Sequence, residues 1–240
     1  MFDKYCNLIK KLKNFNKEDI LNEKFELYSK GNLKIYYAPH NEVINDKAKV
    51  FIVGITPGWT QTSIAYKTAT SGLLKGLDFN QIKIQCKKKS RFAGSMRRNL
   101  IEMLDELQLN DRLHLKSCSE LFEDMDYLLH TTSVIPYPVF INDKNYTGSS
   151  PKIMENKVLY DYVKQYFYKE ASVLSNALII PLGKSVEEIL VQMIEDNILK
   201  KEQCLLGFPH PSGANGHRKR QFQENKQDLT VLIDNFFKTE

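Results

Sequence analysis

The sequence predicts an α/β fold, a three-layer α/β/α domain built on a four-stranded parallel sheet. Apolar runs of strand length recur along the chain, and each is followed by a loop and a segment with helical periodicity. The runs are also nearly continuous in apolar residues, which is typical of parallel strands that are buried on both faces. We expect right-handed crossovers through the intervening helices.

The individual elements follow from the apolar pattern. Near the amino terminus, helices are predicted over residues 2–12 and 17–29, followed by a short strand over residues 33–37. Buried strands are predicted over residues 48–55, 131–138, 177–183 and 204–208. Long helices are predicted over residues 152–175, from Ser185 onward, and over residues 221–237.

Length and composition indicate one domain. The chain has 240 residues, 42% of them hydrophobic and 26% charged, which is ordinary for a globular protein. We expect a single domain over residues 1–240, in which residues 1–47 form a helical brace with a short strand and residues 48–237 form the core.

The charge distribution suits a polyanionic partner. The net charge is +5 and the isoelectric point is near 8.8. Basic residues cluster at residues 87–91, 97–98 and 218–220, beside the loops that carry the candidate site. The alternative is that each cluster is simply a solvated face.

The cysteine pattern does not predict a metal centre. Cys6, Cys86, Cys118 and Cys204 are scattered, without the spacing of a zinc site. We expect no metal and no other cofactor, and thiols that stay reduced. No apolar stretch approaches membrane-spanning length, so we expect a cytoplasmic protein that does not bind membranes. We also expect a monomer.

The loop of residues 207–218 is the strongest functional candidate. It follows a predicted strand and precedes a long amphipathic helix, so it lies at the carboxyl end of a strand, where ligands bind in open α/β sheets. Pro209 and Pro211 fix the backbone on either side of His210, and the glycines that follow free it. An ordinary turn is the alternative, but it needs none of these side chains.

At this loop the sequence resembles the uracil-DNA glycosylase superfamily, whose members carry a His-Pro-Ser-(Pro/Gly) loop after their last strand. A second resemblance lies in residues 54–62, which read Gly-Ile-Thr-Pro-Gly-Trp-Thr-Gln-Thr. They are similar to the family signature Gly-x-(Asp/Asn)-Pro-(Tyr/Gly), in its mismatch-specific form. The resemblance implies a uracil-DNA glycosylase-like fold and base flipping from double-stranded DNA.

The resemblance also implies two catalytic residues. His210 would donate a hydrogen bond to the pyrimidine O2 as negative charge develops on the leaving base. Thr56 stands where the family has an Asp or Asn that positions water, so it would orient water while DNA phosphates stabilise the sugar cation. The alternative is a carboxylate from elsewhere in the chain: Glu120, Glu123, Asp124 or Asp126.

The base pocket implied by the resemblance comprises Gly54, Ile55, Pro57, Gly58, Trp59, Phe92 and Ser133. Gly58 replaces a tyrosine that excludes 5-methyl groups in uracil-specific relatives, and Ser133 replaces an asparagine that reads the pyrimidine edge. Both differences favour a pyrimidine with a bulky 5-substituent. For Trp59 and Phe92, the alternative is an ordinary core position.

The DNA-binding residues implied by the resemblance are Ser95, Lys184, Ser185, Ser212, Gly213, Ala214, Asn215, His217 and Arg218. Ala214 lies where relatives insert a leucine wedge, which leaves Asn215, His217 or Arg218 to fill the vacated stack. Ser95 and Ser185 begin predicted helices, and a helix amino terminus binds phosphate. For both serines, a plain helix cap is the alternative.

These expectations together predict a monofunctional DNA glycosylase that excises a 5-substituted pyrimidine, for example one with a glucosylated hydroxymethyl group, and leaves an abasic site. Because such bases characterise some bacteriophage genomes, the predicted role is defence against bacteriophage. Two alternatives remain: a catalytically silent base-flipping sensor, and a repair glycosylase for uracil or thymine mismatches. A nucleotide-binding domain is disfavoured, because the chain has neither a P-loop nor a Gly-x-Gly-x-x-Gly sequence.

Overall fold

The computed structural model describes residues 1–92 and 94–238. The helices are α1 (Phe2–Lys10), α2 (Lys17–Ile20), α3 (Trp59–Leu74), α4 (Phe79–Ser90), α5 (Ser95–Glu106), α6 (Leu109–Arg112), α7 (Lys157–Tyr162), α8 (Tyr168–Val173), α9 (Lys184–Glu195) and α10 (Arg218–Lys238). The strands are β1 (Glu26–Lys30), β2 (Leu33–Tyr36), β3 (Val50–Gly54), β4 (Leu129–Ser133), β5 (Val139–Ile141), β6 (Lys144–Asn145) and β7 (Leu178–Pro181).

The chain divides into two compact units. The first comprises residues 1–44, 56–92 and 135–150, and the second comprises residues 45–55, 94–134 and 151–238. Each unit has its own sheet. The single-domain organisation expected from the sequence stays a prediction.

The first unit contains an antiparallel sheet with the strand order β1-β2-β5-β6. The predicted helix over residues 17–29 is wrong, because α2 ends at Ile20 and β1 follows it. Lys30 pairs with Leu33, so Gly31 and Asn32 form a two-residue hairpin loop. Gly31 has a φ of +60°, as such a loop requires. This glycine therefore turns a hairpin rather than ending a helix.

Buried aromatic rings form the core of the first unit. Tyr5 of α1 stacks on Tyr37 with ring centroids 4.1 Å apart, and Phe25 meets Tyr66 of α3 edge to face at 5.0 Å. The Tyr66 hydroxyl donates to the Tyr37 carbonyl at 2.8 Å. The buried hydroxyl is thus satisfied, and α1 and α3 pack through the same cluster.

The second unit contains a parallel sheet with the strand order β4-β3-β7. All five residues of the central strand β3 are buried, as its continuous apolar sequence predicts. The α/β class is therefore confirmed.

The fourth parallel strand is not formed, and that part of the fold prediction is wrong. Residues 204–208 make a single bridge, in which Cys204 pairs with Ile179 of β7. Gly207 leaves the extended conformation at a φ of +89°. Its N–H binds the Glu187 carboxylate, and its carbonyl accepts from Asn225 at 2.8 Å. Side chains of α9 and α10 thus take the backbone groups that a strand would use for pairing.

One face of the parallel sheet is covered by the segment from α7 to α8. This segment was predicted as one helix over residues 152–175, but a π-helical turn, Val163–Phe167, interrupts it. The Glu170 carboxylate of α8 contacts His130 Nε2 at 2.7 Å and accepts from the Thr132 hydroxyl at 3.0 Å. Buried polar bonds therefore fix α8 on β4. None of the helices in the described ranges is both long enough and apolar enough to cross a membrane.

Candidate active site

The carboxyl ends of β3 and β4 place two predicted pocket residues side by side. Gly54 pairs with Ser133 in the parallel register, and the Gly54 carbonyl accepts from the Val134 N–H at 2.9 Å. Ser133 is 8% exposed. The strand edge where ligands bind in α/β sheets therefore includes Gly54 and Ser133.

His210 sits directly against Gly183, at the carboxyl end of β7. Gly183 has a φ of +88°, and a Cβ added to it would lie 2.9 Å from the His210 Cβ. Its N–H donates to the Phe208 carbonyl at 3.2 Å. Only glycine allows this close approach with this backbone conformation. Gly183 thus fixes where the His210 loop begins.

The hydrogen bonds of His210 define which ring nitrogen carries the proton. The Ser212 N–H donates to His210 Nδ1 at 3.2 Å, so in the neutral ring the proton resides on Nε2. Burial lowers the pKa of His210 below its usual value. His210 is therefore a neutral imidazole at pH 7, with Nε2–H as a hydrogen-bond donor.

Side chains from two helices hold the His210 loop in place. Asn99 of α5 donates to the Pro211 carbonyl at 2.8 Å, and Arg218 of α10 donates to the Ser212 carbonyl at 3.1 Å. Asn215 donates to the His210 carbonyl at 3.2 Å. Two of the predicted DNA-binding residues, Arg218 and Asn215, thus brace the loop itself.

The tip of the same loop is open to solvent. Four residues there are exposed: Gly213, Ala214, Gly216 and His217. An added Cβ on Gly213 or Gly216 would meet nothing within 4 Å. A loop whose two ends are held in place and whose tip is exposed is suited to entering a groove of a nucleic acid.

Two helices of the second unit begin at a glycine, which provides no side-chain cap for the first backbone N–H groups. The N-cap of α9 is Gly183, and Lys184 is exposed while Ser185 is half-buried. The N-cap of α5 is Gly94, and Ser95 is exposed at the first helical position. Neither serine is the cap residue of its helix. The amino termini of both helices can hold an anion.

The hydroxyl of Thr56, in the first unit, is already used in two hydrogen bonds. It donates to the Tyr137 carbonyl at 2.7 Å and accepts from the Val139 N–H at 3.1 Å. Thr56 thus links its loop to the start of β5. One acceptor lone pair remains to hold a water molecule.

The predicted pocket residues of the first unit differ in exposure. Pro57 is buried, whereas Gly58 and Trp59 are half-buried at the start of α3. Trp59 thus offers a partly open surface. Ile55, the last residue of the second unit before the chain enters the first unit at Thr56, is also half-buried.

Phe92 has features of a core aromatic residue and features of a functional-site residue, the two interpretations given above. Its side chain is 5% exposed, as a core aromatic would be. Its φ of +37° is unusual for an aromatic residue, and such backbone strain is often found at functional sites. Ala93, which follows Phe92, lies outside the described residues.

Two of the four alternative carboxylates have features that argue against a catalytic role. The Glu120 carboxylate accepts from the Lys116 N–H at 2.8 Å and so stabilises its own turn. Asp126 precedes the amino end of β4, whereas Ser133 ends that strand. At a rise of about 3.3 Å per residue, the two ends of β4 are about 13 Å apart.

Sequence reasoning missed two residues. Asn99 holds the His210 loop, as described above. Asn145 lies beside Gly58, where its amide nitrogen is 3.8 Å from a Cβ added to that glycine. No sequence signal marked Asn145. Only the pairing of β5 with β6 brings it to this position.

The fold and these residues define a class of protein, an α/β protein with candidate catalytic groups at the carboxyl end of a parallel sheet. The chain belongs to the same family as the uncharacterized protein YoxB of Bacillus subtilis (strain 168). The two are 46% identical over 221 residues, which is 92% of this chain and 86% of YoxB. No protein-family model matches the chain. No solved structure matches it either.

Proposed function

We propose that this protein is a monofunctional DNA glycosylase that flips a 5-substituted pyrimidine out of double-stranded DNA and excises it. The proposal includes a monomeric, cytoplasmic protein with a three-layer, uracil-DNA glycosylase-like arrangement, and a role in defence against bacteriophage. The observation that carries it is His210, a neutral imidazole that presents a donor at the carboxyl end of the parallel sheet.

His210 supports the reaction by stabilising the leaving group. Hydrolysis breaks the bond between C1′ of the sugar and N1 of the base, and the electron pair leaves with the base. The negative charge accumulates on O2, to which His210 Nε2–H donates. A neutral donor keeps its proton near pH 7 and needs no charge change during the step.

The remaining steps use Thr56 and the DNA itself. Water forms the new bond to C1′ and releases a proton, which passes to solvent. Thr56 holds that water through the lone pair that its two backbone hydrogen bonds leave free. The phosphates of the DNA stabilise the positive charge that develops on the sugar.

The substrate follows from Gly58 and Ser133. Gly58 places no side chain beside C5 of the base, and Ser133 is smaller than the asparagine of uracil-specific relatives. Bases with large 5-substituents, such as hydroxymethylated and glucosylated cytosines, occur in some bacteriophage genomes. Excision would leave abasic sites in invading DNA and ignore host cytosine.

A catalytically silent base-flipping sensor is the second candidate. The observation that favours it is the Thr56 hydroxyl, which already bonds to Tyr137 and Val139. A threonine used in this way is a weaker water ligand than an acid or amide. Such a sensor would bind the same bases without cleaving them.

The test is incubation with duplexes that carry cytosine, uracil, thymine mispairs, 5-hydroxymethylcytosine or its glucosylated form, followed by alkali. We expect strand breaks only at the 5-substituted cytosines. His210→Ala should slow single-turnover excision about 100- to 1000-fold while duplex binding persists. Excision of uracil or mispaired thymine instead would indicate repair. Base-dependent binding without breaks would indicate the sensor.

A further inference from the structure

The amide nitrogen of Asn145, a half-buried residue, is a buried polar atom without a partner among the described residues. Asn145 Nδ2 is inaccessible to solvent and has no hydrogen-bond acceptor among residues 1–92 and 94–238. Folded proteins rarely leave such donors unpaired, because the lost hydration is not replaced. A ligand that supplies the missing partner would remove this penalty.

The position of Asn145 relates it to the proposed base pocket. A Cβ added to Gly58 would lie 3.8 Å from Asn145 Nδ2 and 4.0 Å from Gln61 Oε1, both ordinary contact distances. Asn145 Nδ2 therefore lies next to the side of Gly58 that carries no side chain. The Gln61 oxygen already accepts from the Gly58 N–H at 3.1 Å, which leaves Asn145 as the unpaired group there.

We infer that Asn145 is the residue that reads the 5-substituent of the flipped pyrimidine, and that it selects a hydroxymethyl group over a methyl group. This inference rests on the proposed function, and it narrows the substrate class to 5-substituents that carry an oxygen at the first carbon. A hydroxyl can accept from the amide N–H or donate to the amide oxygen, so either orientation of the Asn145 side chain suits it.

The selection depends on the amide of Asn145, which can form a hydrogen bond with a hydroxymethyl group but not with a methyl group. A methyl group fills the same space but leaves the amide unpaired. A site built to bond a substrate hydroxyl rejects an analogue without that hydroxyl much more strongly than an apolar pocket distinguishes one methylene.

The test measures binding in a His210→Ala background, so that cleavage does not interfere. Duplexes with a single 5-hydroxymethylcytosine or a single 5-methylcytosine are titrated by fluorescence anisotropy. We expect at least tenfold tighter binding of the hydroxymethyl duplex, and a difference below twofold after Asn145→Leu. Thr147→Ala, an exposed change in the same segment, should keep the full preference.

Melting temperature provides the second readout. Because the Asn145 amide is unpaired without DNA, Asn145→Leu and Asn145→Ala should leave the melting temperature unchanged or higher. A drop of several degrees in both variants would show a structural role and overturn the inference, as would an unchanged preference in Asn145→Leu. Excision that ignores Asn145 refutes this inference alone. Absence of both excision and base-dependent binding across all the duplexes refutes the proposed function too.

Discussion

At the scale of single residues, Gly183 determines the position of His210. A side chain at position 183 meets both a left-handed backbone and the His210 Cβ, at 2.9 Å. We expect Gly183→Ala to lower excision at least tenfold and the free energy of unfolding by about 2 kcal/mol. Kinetics and urea denaturation measure the two effects.

The matched control for this variant is Gly216→Ala. Gly216 lies in the same loop, its backbone is not left-handed, and an added Cβ meets nothing within 4 Å. Its free energy of unfolding should stay within about 0.5 kcal/mol of the parent value. Equal effects of the two substitutions would contradict the role of Gly183.

His40 makes the protein sensitive to acid. It is 3% exposed, and neither ring nitrogen has a partner among the described residues. Burial, with a smaller contribution from Lys87, lowers the pKa of His40 from 6.5 to about 3. The unfolded chain therefore binds this proton more readily, and stability present above pH 6.5 is lost as the pH falls towards 3.

We expect the free energy of unfolding to fall by about 2 kcal/mol between pH 7 and pH 5 through His40 alone. The His40→Phe variant should lose that part of the pH dependence while retaining the ring volume. Denaturation at both pH values measures it. An identical pH dependence in the variant and the parent would exclude His40 as the cause.

At the scale of elements, Glu170 attaches α8 to the parallel sheet. Its carboxylate bonds to both His130 and Thr132, and all three side chains are buried. Glu170→Ala removes a partner of His130 Nε2 and of the Thr132 hydroxyl in a buried site, so the free energy of unfolding should fall by about 3 kcal/mol. Lys169→Ala, an exposed change on the same helix, should have almost no effect in the same denaturation experiment.

The apolar pattern and the positions of glycines explain which helices and strands could be predicted from the sequence. The buried sequence of β3 identified the central strand, because continuous apolar residues fit only a strand covered on both faces. The fourth strand failed at Gly207, whose backbone groups are taken by Glu187 and Asn225. Those two partners are distant in sequence, so no local pattern reveals them.

The candidate site shows the same division. His210 was chosen as a candidate from local sequence, because the stiff Pro-His-Pro segment and the glycines that follow it are adjacent. The bonds of Thr56 to Tyr137 and Val139, and the position of Asn145 beside Gly58, depend on pairing between distant segments. Residue type indicated which side chains could take part in catalysis or binding. The long-range contacts determine which of their hydrogen-bonding groups are still available.

At the scale of the whole molecule, positive charge should set the affinity for DNA. Lys184 is exposed at the amino terminus of α9, where a phosphate is favoured. Lys184→Ala should weaken binding about equally on every sequence and reduce the slope of log K against log salt by about 0.9. Binding isotherms at several salt concentrations measure the slope.

Lys200→Ala is the matched control, since this exposed lysine follows the opposite end of α9. The helix is about 18 Å long, so the two lysines cannot reach the same phosphate. The control should keep the slope of the parent. An equal reduction in both variants would mean that net charge, rather than a contact at α9, governs binding.

The π-helical turn, Val163–Phe167, gives the segment a place where its length can vary. A π-helical turn bonds each residue to the fifth residue along the chain, so it holds one residue more than an α-helical turn in nearly the same rotation. Removal of one residue from this turn restores α-helical bonding and leaves Glu170 facing His130 and Thr132. We therefore expect some related sequences to keep these three polar residues with one residue fewer between position 163 and position 170.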